Sequence, residues 1–193
     1  MTQATESLVQ NNRFKRRDFI PVFFICYLLK KKDSYGKILL ICNLWVIILS
    51  KYSDRAVELF KSGKNCSQAV FVAFATDLGL SEEMALSISV GLGGGVGRMR
   101  EVCGAISGSA MVVGLKYPEL SKAEIYEKVR AIAEEFKKTN HSIVCKELLG
   151  LSKPEKSSVP EERTEEYYKK RPCVQIVEDA AKATEKILFS EVE

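Results

Sequence analysis

Four cysteines are the residues of this sequence best suited to chemistry. Two of the six cysteines in the 193-residue chain, Cys26 and Cys42, lie in apolar N-terminal segments. The other four are widely spaced along the rest of the chain: Cys66, Cys103, Cys145 and Cys173. Thiolates attack disulfides and bind metal ions. The spacing excludes a zinc ribbon or finger, which needs closely spaced pairs, and no C-x-x-C motif is present. Any site that these cysteines share must therefore be assembled by the fold.

Each of these four cysteines lies at the predicted start of a helix. The residues or segments expected to open the helices are Asn65 before Cys66, the glycine-rich segment before Cys103, Ser142 before Cys145 and Pro172 before Cys173. A helix N-terminus carries partial positive charge and free N–H donors, which stabilise a thiolate and lower the pKa of the thiol. A single cysteine is most often a small apolar core residue. Four cysteines in the same predicted position favour chemistry.

The segment before Cys103 is rich in glycine and reads GLGGGVGRMREVCGAISG from Gly91 to Gly108. Neither G-x-G-x-x-G nor the P-loop spacing occurs in it, which argues against phosphate binding. Glycine permits a tight turn between packed helices. We predict a loop through which a substrate approaches a thiol, formed by Gly93, Gly94, Gly95, Gly97, Arg98 and Arg100. Cys103 is then expected to be the most exposed cysteine and the attacking thiolate, with another cysteine resolving the mixed disulfide.

The hydrophobic periodicity from Ser53 onward is helical and predicts an all-α fold, a compact bundle of about six to seven helices. Ser53 is expected to cap the first helix. A capping box of Ser121 and Glu124 is expected to open a long amphipathic helix that ends near Lys138. The polar segment 151–166 contains two prolines and is predicted to be a loop.

The first 52 residues differ in composition from the rest of the chain. They hold nine Lys and Arg against three Asp and Glu, a net charge of +6, whereas residues 53–193 carry −2. Their apolar runs, 19–29 and 38–49, are shorter than the roughly 20 residues of a membrane-spanning helix. We interpret residues 1–52 as an extension outside the functional domain 53–193, for instance one translated from an upstream start codon. The slightly acidic body argues against nucleic-acid binding.

His141 is the single histidine of the chain and precedes Cys145 by four residues. If both lay on one helix they would share a face and could hold zinc or iron. A solvated surface histidine is the simpler interpretation. Ser107 and Ser109 have no other histidine to serve as a base, so a Ser–His hydrolase is disfavoured.

The cysteines and the residues around them resemble a known family. Cys66, the block CGAISG (Cys103–Gly108) preceded by GGGVGRMREV, Cys145 in SIVCKELLG and Cys173 before an apolar helix are similar to the C_GCAxxG_C_C family of redox-active proteins. The resemblance covers about residues 53–188. It implies a small helical cytoplasmic protein of a kind common in anaerobes and often encoded near transporters. It identifies the four cysteines without identifying a substrate.

Three functions remain open at this point. The first is thiol–disulfide exchange or electron transfer by the four cysteines, which requires no cofactor and takes an unidentified redox partner or small-molecule substrate. The second is a zinc or iron–sulfur protein whose ligands are Cys66, Cys103, Cys145, Cys173 and His141. The third is a transporter accessory in which residues 19–49 associate with the membrane. The first two predict a cytoplasmic protein.

Overall fold

The structure of the protein is a computed structural model that describes residues 51–152 and 157–189. Every regular element in these ranges is helical, apart from one isolated antiparallel bridge between Val102 and Val144. The predicted all-α fold is therefore confirmed. Within the same ranges, no helix combines the length and the apolar composition that crossing a membrane requires. The expectations for residues 1–50, including the apolar runs, lie outside the described residues.

The described residues contain eight α-helices, of which six have seven or more residues. In chain order they are α1 (51–61), α2 (Cys66–Ala75), α3 (Glu82–Ser89), α4 (Gly104–Lys116), α5 (Lys122–Asn140), α6 (Cys145–Leu148), α7 (Glu165–Lys170) and α8 (Cys173–Phe189). A 3₁₀ turn, Val90–Leu92, continues α3 into the glycine-rich segment.

The helices begin where their side chains satisfy backbone N–H groups. The Asn65 side chain accepts hydrogen bonds from the N–H groups of Ser67 and Gln68, both at 3.0 Å, and so fixes the start of α2. The predicted capping box of Ser121 and Glu124 opens α5. These two caps set the first residue of a central helix and of the longest helix in the described chain.

Two predicted boundaries were wrong. Ser53 does not cap α1, because residues 51 and 52 are already helical, and the Tyr52 ring stacks on Phe74 with centroids 4.4 Å apart. The end of the predicted loop, with the residues just after it, forms α7, which is capped by the Thr164 hydroxyl. Acidic residues at the start of α7 pair with basic residues one turn later: Glu165 with Lys169 and Glu166 with Lys170.

The core is built around α2, whose residues 69–75 are all buried. α2 packs against α3, α4 and α8, and α5 packs against α4 and α8. The small residues of α4 allow a close approach, since a Cβ on Gly108 would lie 2.7 Å from the Ser67 carbonyl oxygen. This close packing brings the start of α4 beside the start of α2, where two of the cysteines lie.

Candidate functional site

A cavity of about 290 Å³ lies where several helix starts converge. Its wall includes the four cysteines of the body of the chain: Cys66, Cys103, Cys145 and Cys173. All four are free thiols. The structure thus brings together residues that are separated by up to 107 positions in sequence (66 to 173).

All four cysteines lie at helix starts. Cys66, Cys145 and Cys173 are the first residues of α2, α6 and α8, and Cys103 is the N-cap of α4. The cap of α6 is Val144 rather than Ser142. The Ser142 hydroxyl instead accepts a hydrogen bond from the Val144 N–H at 3.0 Å, one residue before the helix begins.

Cys66 and Cys103 form a hydrogen-bonded pair of sulfurs. The Cys103 thiol donates to the Cys66 sulfur, and this bond lowers the pKa of Cys66 below the ordinary thiol value. The backbone N–H groups of Gly94, Ser67 and Cys66 itself also donate to that sulfur and outweigh the opposing effect of burial. Cys66 is therefore the cysteine that the site stabilises as a thiolate.

The close approach of these two helix starts depends on Gly104, the residue after Cys103. A Cβ at this position would lie 2.6 Å from the Cys66 sulfur and 2.8 Å from the Leu92 carbonyl oxygen. Both distances are shorter than van der Waals contact, so any larger residue would have to displace Cys66. Glycine at position 104 is thus a condition of the sulfur–sulfur contact.

The expected exposure of Cys103 was wrong. Its relative exposure is 4%, whereas Cys66 and Cys173 are half-buried. The reason is packing, because the small residues of α4 draw its first turn against α2. The hydrogen bond to Cys66 raises the pKa of Cys103 well above the ordinary value, and burial acts in the same direction. Cys103 is held as a protonated donor.

Cys145 and Cys173 are also held as thiols. Burial raises the pKa of Cys145, although a hydrogen bond from the Arg100 guanidinium opposes the shift. Burial raises the pKa of Cys173 to about 12. Two backbone hydrogen bonds join the segments of Cys103 and Cys145. The Cys103 N–H donates to the Ile143 carbonyl at 2.8 Å, and the Cys145 N–H donates to the Glu101 carbonyl at 2.6 Å.

The glycine-rich segment forms part of the cavity wall. The members of the predicted approach loop that line the cavity are Gly93, Gly94, Gly97, Arg98 and Arg100. Gly95 lies behind them, with φ at +67°, and a Cβ there would come within 2.7 Å of the Cys145 Cβ. The left-handed backbone and the contact with Cys145 both require glycine at this position.

The cavity also contains residues that the sequence did not indicate. Segment 157–171 contributes Glu161, Arg163, Tyr167 and Arg171 to the wall. Arg171 precedes Cys173 by two residues, which is a weak signal in a chain with many basic residues. The Arg163 guanidinium donates to the Phe60 carbonyl at 2.8 Å across 103 positions, and a contact of that range leaves no local pattern in the sequence.

His141 is not part of the cavity wall. It is the exposed C-cap of α5, with φ at +65°, and so does not share a helix with Cys145. In residues 51–152 and 157–189, no group of three or more His, Cys, Asp or Glu side chains is arranged to hold a metal ion.

Comparison with known proteins identifies the family. The family described as "Putative redox-active protein (C_GCAxxG_C_C)" matches residues 64–187. The chain belongs to this family. The match spans all four cysteines of the cavity. A protein of Archaeoglobus fulgidus, described as an uncharacterized protein, is 27% identical to the chain over 147 residues, which cover 69% of this chain and 91% of that protein. No solved structure matches the chain significantly.

The cavity of this C_GCAxxG_C_C protein places one thiol with a lowered pKa among three thiols with raised pKa values. A nucleophilic thiolate needs a low pKa, and the pKa of Cys66, which lines the cavity, is lowered. The Cys103 thiol lies within hydrogen-bonding reach of the same sulfur. The remaining two thiols stay protonated near neutral pH and so compete poorly as nucleophiles.

Proposed function

We propose that the protein carries out thiol–disulfide exchange, with Cys66 as the attacking thiolate and Cys103 as the resolving thiol. The observation that carries the proposal is that the half-buried Cys66 and the buried Cys103 lie side by side in one cavity, at two helix starts that glycine allows to meet. The sequence predicted Cys103 as the attacking thiolate and left the resolving cysteine open, whereas here Cys66 attacks and Cys103 resolves. This assignment rests on the greater exposure of Cys66 and on the backbone N–H groups at the start of α2 and in the glycine-rich segment, which lower the pKa of Cys66.

The reaction consumes two protein thiols and one substrate disulfide. Cys66 Sγ attacks one sulfur of the substrate, so a mixed disulfide forms and the first substrate thiolate leaves. Cys103 then loses its proton and attacks Cys66 Sγ, and the second substrate thiolate leaves. Both leaving groups take up protons, one from Cys103 and one from solvent. The protein ends with a Cys66–Cys103 disulfide, and the substrate is reduced to two thiols.

We also propose that the reaction takes place in the cytoplasm. Each turnover leaves a protein disulfide, which must be reduced before the next, and the cytoplasm maintains thiols in the reduced state. Subcellular fractionation of the native host with an antibody against the protein tests this location, and recovery in a secreted or periplasmic fraction would contradict it.

Single-turnover trapping with hydroxyethyl disulfide tests the assignment of the two cysteines. We expect Cys103→Ser to accumulate a mixed disulfide on Cys66, because the thiol proposed to resolve it is absent. In Cys66→Ser, we expect mixed disulfides to form much more slowly. Cys145→Ser is the matched control and should proceed to the Cys66–Cys103 disulfide. Peptide mass spectrometry locates each adduct. The proposal would be overturned if another cysteine of the Cys66→Ser protein formed a mixed disulfide as fast as Cys66 does in the wild-type protein.

A further inference from the structure

The charged side chains of the cavity are almost all positive. Four arginines line it, and together we call them the arginine wall: Arg98, Arg100, Arg163 and Arg171. Glu161 is the one acidic residue among the described residues that line the cavity. Residues 53–193 as a whole carry a net charge of −2, so positive charge is concentrated at the thiols of a slightly acidic body.

Two of these arginines are held in place by aromatic rings and by polar partners. The Arg163 guanidinium lies 4.2 Å from the centroid of the Phe60 ring and bonds the carbonyl of the same residue. The Arg171 guanidinium lies 5.2 Å from the Tyr167 ring and donates to Glu161. Side chains that are already fixed lose less entropy when a ligand binds. Each guanidinium has five donors, so these contacts leave others able to face a ligand.

The other two arginines of the arginine wall differ in exposure, Arg98 being half-buried and Arg100 buried. Arg98 donates from Nε to the Ser157 carbonyl at 2.9 Å and lies 3.9 Å from Glu161. Arg100 is 4% exposed and bonds the Cys145 thiol. Partly buried charges are weakly screened by solvent and attract an oppositely charged ligand more strongly than exposed charges do.

We infer that the substrate of the cavity is a low-molecular-weight disulfide that carries carboxylate or phosphate groups. The inference rests on the proposed function and assigns its substrate class. A cavity of about 290 Å³ is close to the lower size limit of small-molecule sites, and guanidinium groups match the geometry of carboxylates and phosphates. The arginine wall would hold the anionic groups while the disulfide sulfur meets Cys66.

Three disulfides of similar length and different charge test this inference: dithiodipropionate, hydroxyethyl disulfide and cystamine, which are a dianion, a neutral molecule and a dication. For each probe we measure the rate constant with which it oxidises the fully reduced full-length chain. This value is divided by the rate constant with which the same probe oxidises a neutral free thiol, N-acetylcysteinamide. The division removes differences in the intrinsic reactivity of the probes. We expect the normalised rate of the dianion to exceed that of the dication by about tenfold or more at low ionic strength. The difference between the normalised rates of the dianion and the dication should decrease as the salt concentration rises.

Variants with opposite changes of charge sharpen the test. Arg163→Gln should lower the ratio of the dianion rate to the neutral rate about threefold or more, and Glu161→Gln should raise it. The matched control is Arg130→Gln, which removes the same charge from an exposed position of α5 outside the cavity wall and should leave the ratio unchanged.

The outcomes separate the inference from the proposed function. Equal normalised rates for the three probes, or equal effects of the variants at Arg163 and Arg130, overturn the inference and leave thiol–disulfide exchange intact. Reduction of none of the probes beyond the level of Cys66→Ser overturns both.

Discussion

The four thiols of the cavity show that a helix start does not by itself determine the state of a cysteine. All four lie at helix starts, yet only Cys66 has a lowered pKa. Burial raises the pKa of Cys173 to about 12 in spite of its position at the start of α8. The difference at Cys66 is that the Cys103 thiol and the backbone N–H groups of Gly94, Ser67 and Cys66 itself donate to its sulfur. A hydrogen bond to a charged group contributes about 1.5–3 kcal/mol, enough to outweigh the cost of partial burial.

The rate of Cys66 alkylation should depend on the Cys103 thiol. Because the pKa of Cys66 is lowered, we expect the thiolate to persist to pH values below the ordinary thiol range, and the rate to fall as the pH drops through that pKa. Cys103→Ala removes the donor, raises the pKa of Cys66 and should slow alkylation at about pH 6 by roughly tenfold or more. Iodoacetamide labelling followed by peptide mass spectrometry measures the profile.

Two further variants serve as controls for this profile. Cys103→Ser keeps a hydroxyl donor and should shift the inflection of the pH–rate profile less than Cys103→Ala does. Cys145→Ala removes a neighbouring thiol that donates no hydrogen bond to Cys66. This variant should shift the inflection of the profile least. Identical profiles for the wild-type protein and Cys103→Ala would show that the hydrogen bond does not control the reactivity of Cys66.

The sequence was sufficient to find the cysteines and their helix starts, because caps and prolines are local signals. It was not sufficient to assign their roles. The exposure of Cys103 depends on how closely α4 approaches α2, which is a property of tertiary packing. The contribution of Arg163 depends on a contact with Phe60 across 103 positions. Neither can be derived from spacing along the chain.

At the scale of elements, the site depends on the contact between α2 and α4. Gly104 and Gly108 lie one turn apart on α4, and a Cβ on either would overlap α2. A third glycine of the same helix, Gly114, is exposed and has nothing within 4 Å of its ideal Cβ position. The chain therefore offers one helix in which glycine is required at some positions and tolerated at another.

Alanine at the two kinds of position should have opposite effects on stability. Gly108→Ala places a Cβ 2.7 Å from the Ser67 carbonyl oxygen, and we expect it to lower the free energy of unfolding by about 1–3 kcal/mol. Gly114→Ala should raise it by up to about 1 kcal/mol, because alanine is the better helix former and meets no neighbour. Urea denaturation of both variants measures the difference. Equal effects would contradict the close approach of the helices.

Prediction from sequence was less reliable at element boundaries than for element type. Segment 165–170 was predicted to lie in a loop or outside any helix because prolines precede it and its residues are polar. In the structure it is held as α7 by the Thr164 cap and by ion pairs one turn apart. Its position beside the cavity follows from the packing of Tyr168 against Phe60, with ring centroids 6.1 Å apart, which no local pattern indicates.

At the scale of the whole molecule, one cavity brings together thiols from helix starts and arginines from the segments between helices of the described chain. Its wall includes residues of α1, α2, α6, α7 and α8, together with residues of the segments that precede α4 and α7. Chemistry at the cavity and the stability of the bundle therefore depend on the same contacts. In the alternative function the four cysteines are metal ligands. Thiol–disulfide exchange and metal binding predict different masses for the intact protein.

Native mass spectrometry of the full chain, purified anaerobically from its own host, should give the mass of the metal-free polypeptide. Mild oxidation should then lower that mass by about two daltons, since one dithiol becomes one disulfide. Cys66→Ser should abolish the change, and Cys173→Ser is the control that should retain it. Additional mass from zinc or an iron–sulfur cluster, lost together with folding on chelation, would instead identify the cysteines as ligands.

The span of the cavity along the chain has a consequence for the order in which the protein assembles. Cys66 is made early, whereas Arg163, Arg171 and Cys173 follow about a hundred residues later. Contacts between distant positions form late, because closing a long loop costs entropy before the contact is gained. The helix pair α2 and α4 can associate before α8 is available. A newly made chain thus passes through a stage in which the thiol proposed as the nucleophile is present with only two of the four arginines of the arginine wall.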